Sequence, residues 1–221
     1  MPLRYVDRRA VVKGPALALA ALALPAAVRA GPRTVRIALL GDSLSSGYGL
    51  LRPEGLPARL QDALLAAGFD VEVLDAGVAG DTTAGGLSRV DWVLSEAPDI
   101  VVVALGANDG LRGIDPEASY ANLDAILNRI KEKGAIPYLA GMKAPRNLGD
   151  AYVAAFDGMY ARLAEAHRIG LYPFLLEGVA LVPDLNQADG IHPNAKGVDV
   201  MVQGLAPALE PLIRRAADAK G

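Results

Sequence analysis

The sequence predicts an α/β domain of three layers, in which a parallel sheet of five strands lies between two layers of helices. Short apolar segments alternate along the chain with longer segments that carry apolar residues at helical spacing. This alternation is typical of parallel sheets, because a crossover helix must return the chain to the starting edge of the sheet. The 221 residues are 52% hydrophobic and 21% charged, a composition that fits one packed domain.

The predicted strands are short and largely apolar. The segment IVVVAL at 100–105 is β-branched and has no polar face, which indicates a strand buried on both sides of the sheet. The first strand ends at Gly41, and polar glycine-rich loops follow the first three strands. In chain order, the predicted strands are 35–40, 71–74, 100–105, 136–140 and 171–176.

The segments between the strands are predicted to be helices. The segment PARLQDALLAA at 57–67 begins with a proline and is followed by Gly68. Proline is favoured in the first helical turn and glycine just after the last, so both ends of this helix are marked. The other predicted helices are 82–94, 116–133, 151–166 and 194–217.

Residues 1–30 have the pattern of an export signal and are predicted to lie outside the folded domain, which then comprises residues 31–221. The pair Arg8-Arg9 precedes a run rich in alanine and leucine, and Ala30 offers a small residue for cleavage. The pair resembles twin-arginine signals. The apolar run is shorter than the ~20 residues that a transmembrane helix needs. We therefore expect a periplasmic or secreted protein that is not stably inserted in the membrane after signal removal.

Charge and composition disfavour several classes of function. The net charge is −3, and residues 1–30 hold more basic than acidic side chains, so the predicted domain is more acidic still. Such a chain is a poor binder of nucleic acid. It has no cysteine and only two histidines, His167 and His192, too few for a histidine-rich metal site. We expect no nucleic-acid partner, no cofactor and no metal, and the sequence leaves the oligomeric state open.

Residues suited to acyl transfer follow the first strand and precede the last helix. Ser43, in the segment GDSLSSGYG, is either a nucleophile or a residue that caps a helix. Asp189 precedes His192 by three residues, so its carboxylate could hold the imidazole within a turn. The loops after parallel strands meet at one edge of the sheet, where ligands bind. We therefore identify Ser43, His192 and Asp189 as candidates for nucleophile, base and orienting acid. Asp189 and His192 also have a structural explanation, as a turn residue beside Gly190 and a surface loop residue.

Three groups are candidates for an oxyanion hole, namely the backbone N–H groups of Ser43 and Gly80 and the side-chain amide of Asn108. Gly80 follows the second predicted strand and Asn108 the third, so both belong to the same edge of the sheet. Each also has a structural explanation, because glycine and asparagine are common in turns. Asp42 is expected either to shape the site or to cap a helix.

Four motifs resemble those of the SGNH hydrolases, also called the GDSL esterase family. The motifs GDSLS, GVAGDT, GANDGLRG and DGIHPN occur in this order, and the resemblance extends from about Arg36 to the C-terminal helix. The last two are most similar to the bacterial periplasmic thioesterase I, lysophospholipase and arylesterase group. Asp75 departs from the asparagine that often begins the second motif in that group. The family's functional residues match the residues identified above, namely Ser43, Gly80, Asn108, Asp189 and His192.

The resemblance implies a flavodoxin-like fold and a serine esterase that hydrolyses short- to medium-chain acyl esters and thioesters through an acyl-enzyme. A carbohydrate or cell-wall deacetylase of the same fold is an alternative, because the motifs do not separate the two activities. A non-enzymatic flavodoxin-like binding module has less support, since no G-x-G-x-x-G follows the first strand. From position and resemblance, the predicted apolar wall for the acyl group comprises Leu44, Tyr48, Pro145 and Leu148.

Overall fold

The computed structural model describes residues 34–219 and shows one sheet of five parallel strands, which confirms the predicted fold class. The predicted export signal lies outside the described residues. The sheet has the strand order β2-β1-β3-β4-β5. The fifth strand is shorter than predicted, because Pro173, which has no N–H to donate to a neighbouring strand, follows its last residue. The strands are β1 Val35–Gly41, β2 Val71–Gly77, β3 Ile100–Ala104, β4 Ile136–Ala140 and β5 Gly170–Tyr172.

Helices cover both faces of the sheet. The second and seventh helices pack against each other on one face, and the third, fifth and sixth helices pack together on the other. Within residues 34–219, no helix combines the length and the apolar character needed to cross a membrane. The helices are α1 Ser43–Ser46, α2 Leu56–Ala66, α3 Thr83–Ser95, α4 Ala107–Leu111, α5 Pro116–Glu132, α6 Asp150–His167 and α7 Ala195–Asp218.

The core is made by β3 and by the apolar stripes of the helices that cover it. Every residue of β3 is buried, as its run of β-branched residues predicts. Helix α7 turns Leu205 and Leu209 into the core, where neither is exposed. Truncation of such a leucine to alanine typically costs ~2–5 kcal/mol, so this packing holds the strand ends in fixed positions.

The strand order places a topological switch point between β1 and β3. From β1 the chain adds β2 on one side and then returns to add β3 on the other. Gly41 pairs with Gly77 of β2 and with Ala104 of β3, so the three strands end at the same level. Ligands of doubly wound sheets bind at such a point, outside the carboxyl ends of the strands. The loops that carry Ser43, Gly80 and Asn108 begin there.

Candidate active site

Ser43 is the first residue of α1 and follows the end of β1 after a single intervening residue. That residue, Asp42, caps the helix, because its carboxylate accepts a hydrogen bond from the N–H of Leu44 at 3.0 Å. The hydroxyl of Ser43 is therefore not the cap. Gly41 packs so closely under α1 that a Cβ there would lie 1.9 Å from the Oγ of Ser45. This close approach fixes the start of α1 against the sheet.

The structure brings Ser43, His192 and Asp189 together in the arrangement that the sequence predicts. The Oγ of Ser43 lies 2.9 Å from Nε2 of His192, and Nδ1 of His192 lies 2.7 Å from Oδ2 of Asp189. Such a chain of contacts can pass a proton from the serine hydroxyl to the imidazole, while the carboxylate holds the ring in one tautomer.

A tight turn holds Asp189 in its ionised form. Its Oδ1 accepts hydrogen bonds from the backbone N–H groups of His192, at 3.0 Å, and Ile191, at 2.9 Å. The N–H of His192 is the largest cause of a lowered pKa of about 2 for Asp189, followed by the imidazole and the N–H of Ile191. The carboxylate is therefore charged at neutral pH and can stabilise a protonated His192.

Gln187 connects the turn that carries His192 to the loop after α1, and the sequence motifs do not identify it. Its side-chain nitrogen donates to the carbonyl oxygens of Tyr48, at 2.7 Å, and Pro193, at 3.0 Å. Its backbone N–H donates to the carbonyl of His192 at 2.7 Å. The ring of Tyr48 lies 4.6 Å from that of His192, between centroids. These contacts hold the imidazole in register with Ser43.

The three candidate oxyanion donors follow three neighbouring strands. The Nδ2 of Asn108 donates to the carbonyl of Asp81 at 2.9 Å and to Oδ2 of Asp42 at 3.3 Å. Gly80 has φ +80°, a conformation that favours glycine. Among residues 34–219, neither the N–H of Ser43 nor that of Gly80 donates to a protein acceptor, so both are available to a ligand.

Asp42 is a second carboxylate close to these donors. It is fully buried, and burial raises its pKa to about 6, against the opposing effects of the Leu44 N–H and the Asn108 amide. Asp42 thus both caps α1 and contacts Asn108, so the two alternatives that the sequence left open are compatible. Asp75, which stands where the related group often has asparagine, makes a turn contact, because its Oδ1 accepts from the N–H of Gly77 at 2.9 Å.

An apolar cavity of about 590 Å³ opens beside Ser43 and His192. Leu44 and Pro145 line it, as predicted, but Tyr48 and Leu148 do not. Tyr48 lies against His192 instead, and Leu148 ends a short 3₁₀ helix that faces Gly113. Much of the wall comes from residues after β3 and β5 that the sequence did not identify, namely Leu111, Phe174, Leu176, Ala180, Leu181 and Ile191.

The described part of the chain, residues 34–219, holds no group of three or more histidine, aspartate or glutamate side chains that could bind a metal ion.

The strand order is that of a flavodoxin-like doubly wound sheet, and Ser43 follows the first strand, beside its switch point. Residues 39–200 match the family described as "GDSL-like Lipase/Acylhydrolase family", and the chain belongs to this family, also called the SGNH hydrolases. It is a carboxylic ester hydrolase, as the motifs predict.

Known relatives extend over nearly the whole domain. The chain is 38% identical over 206 residues to "Esterase TesA" of Pseudomonas aeruginosa, a match that covers 93% of this chain and 100% of the relative. It is 38% identical to "Thioesterase 1/protease 1/lysophospholipase L1" of Escherichia coli, over 79% of this chain and 83% of the relative. The crystal structure of the esterase EstA from Pseudoalteromonas sp., inhibited by monoethylphosphonate, superposes with a TM-score of 0.77 and 32% identity, over 81% and 98% of the two chains.

Proposed function

We propose that this enzyme hydrolyses short- to medium-chain acyl esters and thioesters, with Ser43 as nucleophile, His192 as general base and Asp189 as orienting acid. The observation that carries the proposal is the 2.9 Å contact between the Oγ of Ser43 and Nε2 of His192 at the wall of an apolar cavity. A hydroxyl and an imidazole at this separation are within the range that nucleophile activation requires.

In the proposed mechanism, Nε2 of His192 accepts the proton of Ser43 as Oγ attacks the acyl carbonyl carbon. The electron pair that moves onto the carbonyl oxygen is stabilised by the N–H groups of Ser43 and Gly80 and by the Asn108 amide. The amide keeps its bond to the Asp81 carbonyl and turns toward the oxyanion the N–H that otherwise makes the longer 3.3 Å contact to Asp42. The protonated imidazole then donates its proton to the leaving alkoxide or thiolate as the C–O or C–S bond breaks. Water hydrolyses the acyl-enzyme through the same proton transfers, which restore the hydroxyl of Ser43 and neutral His192.

The cavity supports an acyl chain as the recognised part of the substrate. Its volume of about 590 Å³ lies within the usual range for small-molecule sites, and most of its wall is aliphatic. A sugar would leave its hydroxyl groups unpaired against such a wall, at a cost of ~1–3 kcal/mol for each buried polar group. The wall therefore favours the esterase over the deacetylase alternative.

Substrates that share one acetyl group test this choice. We expect benzyl acetate, whose alcohol leaving group is not activated, and acetyl-CoA to be hydrolysed with higher kcat/KM than an O-acetylated xylose, because the sugar gains nothing from the apolar wall. Replacing acetyl with hexanoyl on the first two should raise kcat/KM further. A higher kcat/KM for the acetylated sugar than for either acetyl ester or thioester would contradict the substrate class proposed here.

We also propose that the enzyme acts in the periplasm or outside the cell after export by a twin-arginine route. The support is the sequence of residues 1–30, with its Arg8-Arg9 pair. Changing the pair to Lys-Lys keeps the charge and should retain active enzyme in the cytoplasm, as measured by esterase activity in separated cell fractions. Export at the unchanged level would point to a general secretory signal instead.

A further inference from the structure

Arg89 of α3 lies behind the candidate oxyanion hole, and no sequence motif identifies it. Its Nε donates to Oδ2 of Asp81 at 2.7 Å, Nη1 donates to the carbonyl of Ala76 at 2.8 Å, and Nη2 donates to the carbonyl of Gly41 at 2.8 Å. The side chains of Arg89 and Asp81 are only 17% and 11% exposed. One guanidinium thus joins the carboxyl ends of β1 and β2 to the loop that follows β2.

Asp81 in turn contacts the side chain that is proposed to stabilise the oxyanion. Its carbonyl oxygen accepts from Nδ2 of Asn108 at 2.9 Å, while its Oδ1 accepts from the N–H of Thr82 at 3.1 Å. Gly85 leaves room for this carboxylate, since a Cβ there would lie 1.7 Å from Oδ1 of Asp81. The carboxylate of Asp81 is therefore held from two sides, and the carbonyl of the same residue orients the amide of Asn108.

The geometry of arginine suits this arrangement and that of lysine does not. A guanidinium presents its donors in a rigid planar fork, so it can bond three acceptors in fixed directions, whereas an ammonium is a point charge on a flexible stem. Buried ion pairs contribute little net stability on average, because desolvation offsets the attraction between the charges. The three directed bonds of Arg89 are thus better explained by positioning than by stability.

We propose that Arg89 and Asp81 are positioning residues that hold the Asp81 carbonyl in place and thereby orient the Asn108 amide toward the developing oxyanion. The inference rests on the proposed function, in which that amide is a donor. Because the Asn108 amide acts on the developing oxyanion, Arg89 and Asp81 should affect kcat and leave substrate binding nearly unchanged.

The test is a double-mutant cycle in steady-state hydrolysis of p-nitrophenyl butyrate. Asn108→Ala alone should lower kcat by roughly 10²–10³-fold with KM little changed, as loss of an oxyanion donor does. Arg89→Lys alone should lower kcat by roughly 10-fold or more, with KM within about twofold of wild type. In the Asn108→Ala background, the effect of Arg89→Lys on kcat should fall below about threefold, because the group that it positions is absent.

A matched control is an ion pair between α3 and the neighbouring α5. Arg129 of α5 and Asp91 of α3 form a pair of the same 2.7 Å length, but their side chains are 43% and 63% exposed. Arg129→Lys should leave kcat at the wild-type value. Asp81→Asn, which keeps the backbone carbonyl and removes the charge that Arg89 binds, provides a second variant if Arg89→Lys does not fold. It should lower kcat in the wild-type background and not in the Asn108→Ala background.

Equal effects of Arg89→Lys on kcat with and without Asn108 would overturn the inference, as would a change confined to KM or to thermal stability. The proposed function is checked separately, by phosphonate labelling of Ser43 in the unmutated enzyme. A labelled Ser43 together with additive effects would overturn this inference alone. An unlabelled Ser43 would overturn the proposed function and this inference with it.

Discussion

Asp42 contacts a candidate oxyanion donor, but burial of its carboxylate lowers the stability of the folded enzyme when the group is charged. Its carboxylate is fully buried beside the candidate oxyanion donors, where it accepts from the N–H of Leu44 and from the amide of Asn108. Two hydrogen bonds offset only part of the desolvation of a charge, and the pKa of Asp42 is accordingly raised from 3.8 to about 6. Folding therefore favours the protonated form of this side chain.

Asp42 should make the enzyme less stable as the pH rises. Because its folded pKa exceeds the unfolded value, its favourable contribution is complete below pH 3.8 and is lost as the pH rises through about 6. For a pKa that rises from 3.8 to about 6, this loss amounts to ~2–3 kcal/mol between pH 4 and pH 7. Asp42→Asn cannot ionise, so its free energy of unfolding should rise relative to wild type by ~2–3 kcal/mol between pH 4 and pH 7.

Urea denaturation of both proteins at the two pH values measures this difference. Any loss that Asp42→Asn suffers equally at both pH values, such as one weakened hydrogen bond to Asn108, cancels in the comparison. Parallel pH dependences for wild type and variant would show that Asp42 ionises normally in the folded enzyme.

The two histidines should differ sharply in their contribution to catalysis. His192 contacts Ser43, whereas Nε2 of His167 contacts Asp124 at 2.7 Å at the far end of α6. His192→Ala should lower kcat by several orders of magnitude, and Asp189→Asn by less, because the base remains but is poorly oriented. His167→Ala serves as the control and should retain near wild-type kcat on p-nitrophenyl butyrate. A larger loss of kcat for His167→Ala than for His192→Ala would show that His192 is not the general base.

At the level of elements, helix α7 anchors the turn that carries His192. Asn194, two residues after the histidine, caps α7, since its Oδ1 accepts from the N–H of Gly197 at 3.1 Å. Its Nδ2 donates to the carbonyls of Asp184, at 2.9 Å, and Asn186, at 3.2 Å. The last motif thus joins a catalytic candidate to a helix N-terminus, which fixes the turn against the long helix.

Removal of this cap should destabilise the fold and the turn together. Asn194→Ala loses the cap and the two carbonyl contacts, so we expect the free energy of unfolding in urea to fall by ~1–3 kcal/mol. The kcat should fall by less than in His192→Ala, because the imidazole is still present. Unchanged stability would mean that another group takes over the cap of α7.

At the level of the whole molecule, the position of the cavity predicts a preference for acyl-chain length. Each methylene that contacts the wall contributes up to ~0.8 kcal/mol, or about fourfold in kcat/KM, while those beyond the cavity mouth contribute little. Three apolar residues that line the cavity, Leu111, Leu181 and Ile191, are also exposed to solvent, so we place the mouth beside them. The kcat/KM should therefore rise over short chains and then flatten.

Hydrolysis of p-nitrophenyl esters from two to sixteen carbons, without detergent and below the concentration of micelle formation, measures this profile. The residues that line the cavity follow β1, β3, β4 and β5, and several of them are exposed to solvent. We accordingly expect rates to vary smoothly through the onset of substrate aggregation. A sharp rate increase at that concentration would indicate a mobile cover and would contradict an open cleft.

The sequence predicts the parts of this molecule whose function depends on residue type. A β-branched run is recognisable as a buried strand, and the motifs around Ser43 and His192 are short and local. By contrast, Arg89 and Gln187 act through carbonyl groups that are distant in the chain, and no local pattern marks such contacts. Pro173 is a local signal for the end of β5, because it has no N–H to donate, but the apolar run at 174–176 favours a longer strand.

The central claim is that Ser43 is the nucleophile of an acyl-enzyme mechanism, and covalent labelling tests it most directly. A p-nitrophenyl alkylphosphonate should release one equivalent of p-nitrophenol per enzyme and leave its phosphonyl group on Ser43, located by mass spectrometry of the digested protein. Ser43→Ala should keep a native circular dichroism spectrum, release no p-nitrophenol and lose several orders of magnitude in kcat. A label on another residue, or a folded Ser43→Ala variant with more than about a tenth of wild-type kcat, would contradict the claim.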